Sequence, residues 1–190
     1  APYAGAASFK AHITGPLKDP VVDGDVRVAS GEANGIPFTN ARAHVRYEGD
    51  RVSVQDVSAG AFGGTVRGEG TFTPGSLTYA AHLVGSDIDV QQAAVYVPEL
   101  AELTGRASFN MGLSGTGTDM SALQAYGSAA LQAGSYKGLP IESLTASFFA
   151  QGSDITIDYA SLNLPHRSSL GIEGKVKGGR EIDLAFYGGH

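Results

Sequence analysis

The sequence predicts an all-β chain, a run of antiparallel strands in two tandem copies of one repeat with a single short helical connector between them. Three observations carry this: apolar residues recur at every second position, special backbone residues recur about 100 positions later, and only one stretch shows helical spacing.

The alternation is clearest at Ala41, Ala43, Val45 and Tyr47, which interleave with Arg42, His44 and Arg46. Period two puts these two sets on opposite sheet faces, so this is a half-buried strand. Val52 and Val54 continue the pattern beyond Glu48-Gly49-Asp50, whose glycine suits a tight hairpin turn. Val66, Gly68, Gly70 and Phe72 then share a face, as do Leu77, Tyr79, Ala81 and Leu83. The second half repeats these series as Leu144/Ala146/Phe148, Ile155/Ile157/Tyr159, Leu170/Ile172/Val176 and Ile182/Leu184/Phe186. About six strands per copy follow from typical strand and turn lengths.

The repeat itself is read from identities. At an offset of 100, Gly5, Ala7-Ser8-Phe9, Gly15 and Asp19 fall on Gly105, Ala107-Ser108-Phe109, Gly115 and Asp119. At 103, Gly24, Gly31, Gly35, Pro37, Ala43 and Gly49 fall on Gly127, Gly134, Gly138, Pro140, Ala146 and Gly152. At 104, Glu69-Gly70 meets Glu173-Gly174, after which Leu77/Tyr79/Ala81 runs parallel to Ile182/Leu184/Phe186. The expected organisation is one domain over residues 1–190, with copy one at 5–88, a connector at 89–104 and copy two at 105–190.

The connector departs from period two. Val90, Ala93, Ala94, Val97, Leu100 and Leu103 approximate a helical stripe, and Pro98 limits it to one or two short turns. Asp87 or Asp89 suits the N-cap. A second, weaker helical candidate is 121–125.

Composition bounds function. With 42% hydrophobic and 17% charged residues, 27 Gly and 8 Pro, the chain is too apolar and too evenly punctuated to stay disordered. A net charge of -6 argues against nucleic acid as a partner, because phosphate binding rests on clustered Lys and Arg. There is no Cys, so neither a disulfide framework nor a thiolate metal site is available. No segment reaches the ~20 apolar residues of a membrane span, and any signal or anchor is expected outside this sequence.

Sites of chemistry are sparse. His12, His44 and His82 fall at polar positions of separate strands without ligand spacing, which favours a solvated role over a metal. Asp87-Ile88-Asp89 lacks the rest of a calcium loop, and Gly112-Leu113-Ser114-Gly115-Thr116-Gly117 lacks a phosphate-binding Lys and reads as a turn. Gly-x-Ser-x-Gly does not occur, so no nucleophile elbow is present. The expectation is a non-enzyme with no cofactor and no metal.

A sheet with one apolar face must cover it by closing into a barrel, splitting into a sandwich, or curling around a groove. The tandem repeat favours curling, because repeats stack and leave open ends. The aromatics Phe72, Tyr79, Phe148, Tyr159 and Phe186 are expected on apolar faces, serving either as plain core or as groove lining.

The stretch Glu102-Leu103-Thr104-Gly105, the strand 107–113, the turn Ser114-Gly115-Thr116-Gly117, and then Gly127-Ser128-Ala129-Ala130-Leu131-Gln132-Ala133-Gly134 resemble AsmA-like proteins. Gly138-Leu139-Pro140-Ile141-Glu142-Ser143-Leu144 and Ile172-Glu173-Gly174-Lys175-Val176 add to the likeness, which extends over most of both copies. The resemblance implies a long curled sheet, taco-like in section, in a protein anchored in the inner membrane of a diderm bacterium and extending through the periplasm. It also implies passive conduction of phospholipid, with acyl chains in an apolar groove, and, for some members, an outer-membrane barrel partner of the Omp85 type. Val45, Val54, Val66, Phe72 and Tyr79 are then expected to line one stretch of groove, and Phe148, Ile157, Ile172, Val176 and Leu184 its counterpart. Two other readings stand beside this one: an assembly module that binds outer-membrane protein strands at a sheet edge, and a carbohydrate-active β-sandwich.

Overall fold

The computed structural model describes residues 7–33, 35–96, 98–178 and 181–189. Gly5, where copy one was expected to begin, and Val97 lie outside them.

The strands are β1 (Ala7–Thr14), β2 (Val21–Ala33), β3 (Ile36–Glu48), β4 (Arg51–Ala61), β5 (Gly64–Thr73) and β6 (Thr78–Asp89). After the helix α1 (Val90–Ala94) and a single 3-10 turn at Pro98–Leu100 come β7 (Leu103–Thr116), β8 (Gln124–Tyr136), β9 (Leu139–Gln151), β10 (Asp154–Leu164), β11 (Ser168–Lys177) and β12 (Glu181–Gly189). All are antiparallel in one 12-stranded sheet ordered β1 to β12, curled but not closed into a barrel. Each strand packs chiefly on its sequence neighbours. The two-layer sandwich is therefore not formed.

Copy one recurs strand by strand in copy two. The bounds of β2, β3 and β4 reappear 103 residues later as those of β8, β9 and β10, and those of β5 reappear 104 later as those of β11. Even the irregularities recur: β4 carries a bulge between Val54 and Val57, and β10 one between Ile157 and Ala160. A bulge adds a residue and steepens local twist, so repeating it repeats the bend of the sheet.

In four cross-strand pairs among the described residues an aromatic ring covers the glycine directly opposite it: Gly31–Phe38, Gly85–Phe109, Gly112–Tyr126 and Gly115–Tyr79. At each, a Cβ on the glycine would collide with the ring, so the ring lies flat over bare backbone. Aromatic cover of strand glycines pins register, because a slip of one residue would throw every side chain to the other face.

The helix forms where the alternation stops. Asp89 caps it, its carboxylate accepting from the Gln91 backbone N–H at 3.0 Å, as expected from the sequence. The turn expected at 121–125 is a 3-10 turn at Met120–Ala122, with β8 already running from Gln124. Val90 and Ala93 turn onto the sheet, where Val90, Leu131 and Ile141 are buried with Leu100, Leu103, Ala107, Leu144, Leu162 and Leu164 around them. On the other side, the ring of Tyr96 meets that of Phe62 in the β4–β5 turn at 5.7 Å between centroids. The helical segment thus braces one rim of the sheet, and most of the buried apolar side chains gather there: Ile88, Val90, Ala93, Leu131 and Ile141, with Ala160 further along β10.

Two expectations are corrected. Leu77 is not in a strand; it sits in the β5–β6 turn with φ 52°, a left-handed conformation that breaks alternation. In consequence β6 and β12 align at 103 rather than 105: Phe72 pairs with Tyr79, and its counterpart Val176 pairs with Ile182. Tyr159 is not on the apolar face, because the bulge at Asp158 shifts it one step and sets it opposite Ser147.

Candidate functional site: an apolar inner face

Residues directly opposite in an antiparallel pair project to the same side, so the registers assign a face to every paired residue. The face braced by α1 is the inner one. Its rows read Phe9, Ala11 and Ile13 on β1; Val22, Val26 and Val28 on β2; Ala43, Val45 and Tyr47 on β3; Val52, Val54, Val57 and Ala59 on β4. They continue with Val66, Gly70 and Phe72 on β5; Tyr79, Ala81 and Leu83 on β6; Phe109, Met111 and Leu113 on β7; Ala125, Ala129 and Leu131 on β8. Leu144, Ala146 and Phe148 on β9, Ile155, Ile157 and Leu162 on β10, Leu170, Ile172 and Val176 on β11, and Ile182, Leu184 and Phe186 on β12 complete them. No charged residue stands in these rows.

All ten residues expected to line a groove lie on this face: Val45, Val54, Val66, Phe72, Tyr79, Phe148, Ile157, Ile172, Val176 and Leu184. They do not make one compact cluster. They form two patches, β3–β6 and β9–β12, with β7 and β8 between them. The residues that join the patches, Phe109, Met111 and Leu113, were not singled out from the sequence. Their alternation with Ser108, Asn110 and Gly112 was the available signal.

Among the described residues, charge gathers on the outer face. His44 contacts Asp25 at 3.1 Å and Asp23 at 3.3 Å, and Arg46 reaches Glu48 at 2.9 Å and Asp23 at 3.5 Å. The hydrogen bond to Asp25, aided by the Asp23 charge, raises the His44 pKa above its ordinary value. His12 and His82 are also outer residues, opposite Asp23 and Glu69 respectively. Among the described residues no three His, Asp or Glu side chains are arranged so that they could hold a metal ion. Over β7–β10 the outer surface is rich in hydroxyl and amide groups, with an open depression of about 440 Å³ lined in part by Ser108, Asn110, Ser128, Thr145, Ser147 and Tyr159.

The inner face is poorly covered. The accessible surface is 12400 Å², whereas a compact monomer of 19.5 kDa exposes roughly 8500 Å². Part of the excess is single-layer sheet, and part is large apolar side chains left open: Phe9, Ile13, Phe72, Ile155, Ile182 and Phe186 are all exposed on the inner face. Apolar surface on this scale marks an interaction surface, since a monomeric soluble protein ordinarily buries it. Among the described residues no helix is long and apolar enough to cross a membrane.

Comparison with protein-family models, with curated proteins and with solved structures finds no match to this chain.

Proposed function

We propose that the chain is a segment of a periplasmic bridge that holds phospholipid acyl chains along its inner face and conducts lipid between inner and outer membranes. The observation that supports it is the apolar lining that runs from β1 to β12, with the ion pairs on the outer face. Burying an acyl chain gains about 0.8 kcal/mol per CH2 group, and a lining without polar anchors holds no one carbon in preference to the next. A chain bound in this way slides. The headgroup remains in water at the open side of the sheet. On this reading the parent protein is AsmA-like, nearest to the TamB branch, has an inner-membrane anchor outside the present sequence, and works without catalysis, with an Omp85-type barrel as a candidate partner.

The test is native mass spectrometry with lipid extraction on protein purified from a membrane-containing host, beside a Val66→Glu/Ile172→Glu variant. Phospholipid on the parent that is lost in a still-folded variant supports the conduit. A parent protein free of lipid moves the reading to strand-binding assembly at a sheet edge.

A further inference from the structure

The outer face differs between the two copies at matching positions of the repeat. In copy one, three adjacent cross-strand rows over β1–β3 run His12–Asp23–Arg46, Lys10–Asp25–His44 and Ser8–Arg27–Arg42. The equivalent rows over β7–β9 keep the same register and run Gly112–Tyr126–Phe149, Asn110–Ser128–Ser147 and Ser108–Ala130–Thr145. All eight charged or titratable positions of copy one are neutral in copy two, and two of them have become aromatic. Folding does not require the exchange, since one sheet holds both versions.

The rings on this face stand open. Tyr126 is 62% exposed and leans toward β7, over Gly112, while exposed Phe149 lies on its other side on β9. Tyr159, 52% exposed, stands opposite Ser147 and walls two open depressions of about 440 Å³ each. Both lie in the size range of ligand clefts, about 300–1,000 Å³. The first is lined by Ser108, Asn110, Ser128 and Thr145 and the second by Ser161, Ser169 and Tyr187, with Glu173 the one charged lining residue of the two among the described residues. His82 Nε2 lies 2.7 Å from Asn110 Oδ1, which orients the amide and leaves its N–H groups to donate elsewhere.

Open rings set among uncharged hydroxyl and amide groups match a ligand that has an apolar C–H face and a rim of hydroxyls. A neutral pyranose is such a ligand: its ring stacks on an aromatic side chain while its hydroxyls exchange hydrogen bonds with Ser, Thr and Asn. A lipid tail needs contiguous apolar surface, which the hydroxyl rows interrupt, and a polyanion needs clustered cations. We propose that the outer face of β7–β10 binds a neutral β-linked glycan chain, with sugar rings on Tyr126, Phe149 and Tyr159 and hydroxyls held by Asn110, Ser128 and Thr145. Equatorial linkage keeps such a chain flat and extended, and the two depressions flanking Tyr159 suit an extended chain rather than a single sugar. The site lies on the face opposite the apolar lining, so it stands independently of what that lining holds.

The probes are cellohexaose, laminarihexaose and chitohexaose, each titrated into isotope-labelled protein while backbone amide resonances are followed. The expected result is that at least one of them shifts amides in β7–β10 and leaves β1–β4 unmoved, with an affinity insensitive to salt. Tyr126→Ala, Phe149→Ala and Tyr159→Ala, each checked for an unchanged melting temperature, should weaken binding about tenfold or more. Arg46→Ala, at the copy-one position equivalent to Phe149, should leave it unchanged. Where a ring variant unfolds, the amide shifts of the parent protein decide alone. The proposal is overturned if none of the three glycans shifts β7–β10, if the shifts spread equally over both copies, or if folded ring variants bind as well as the parent. It is also overturned if a photo-reactive residue at position 128, irradiated in cells, captures protein and no glycan.

Discussion

Phe109 seats its ring on Gly85, its direct partner across the β6–β7 pair, at the point where the two copies of the repeat meet. The ring replaces a missing side chain, and nothing larger than hydrogen fits beneath it.

Gly85→Val should accordingly destabilise the chain by overpacking, by about 1–3 kcal/mol. Phe109→Leu should partly relieve the clash in the double variant. Denaturant midpoints of the two single variants and the double variant measure this as a coupling. Additive effects would mean that the ring and the glycine are not in register.

Leu131 is 4% exposed and belongs to the cluster under α1. Few side chains in this open sheet are as well covered, so Leu131→Ala should cost about 2–5 kcal/mol, the range for a core leucine. Truncating an open inner residue such as Ile182, 67% exposed, should cost much less. Thermal or denaturant unfolding of both variants makes the comparison.

Asp89 accepts the Gln91 backbone N–H and so caps α1. Asp89→Ala should lower stability by about 1 kcal/mol and loosen α1 from the rim. Amide hydrogen exchange over 89–96 should rise, while exchange in β2–β4 stays unchanged.

His44 has a raised pKa through its hydrogen bond to Asp25 and the nearby Asp23. Its contribution to stability is complete below the unfolded value of 6.5 and is lost as pH rises through the higher folded value. At 32% side-chain exposure, solvent screening keeps the effect small. Stability measured between about pH 6 and 8 should decline with a slope that His44→Gln removes.

Much of this arrangement is legible in the alternation. Val54 and Ile157 were assigned to the apolar face because period two leaves no other choice between Ser53 and Gln55, or between Thr156 and Asp158. The same rule misplaced Tyr159, because a bulge consumes a residue without leaving a sequence mark, and Asp158 reads as an ordinary outward polar residue. Leu77 misled for a related reason: a leucine at positive φ is sterically disfavoured, so nothing in its identity announces a turn. The repeat identities include Gly31, Gly115 and Phe109 but do not tell which ring covers which glycine, since Gly85 and Phe109 are joined only through register. The size of the uncovered face was not legible at all, because it depends on the sheet remaining open.

The reading of the inner face as a lipid track is tested most directly by two adjacent residues on opposite faces, Val54 inside and Ser53 outside. A photo-reactive residue is placed at each in turn, the protein is irradiated in membrane-containing cells, and adducts are read by mass spectrometry. Phospholipid adducts at position 54 with none at 53 are predicted; adducts at 53 in equal yield, or protein instead of lipid at 54, would contradict the account.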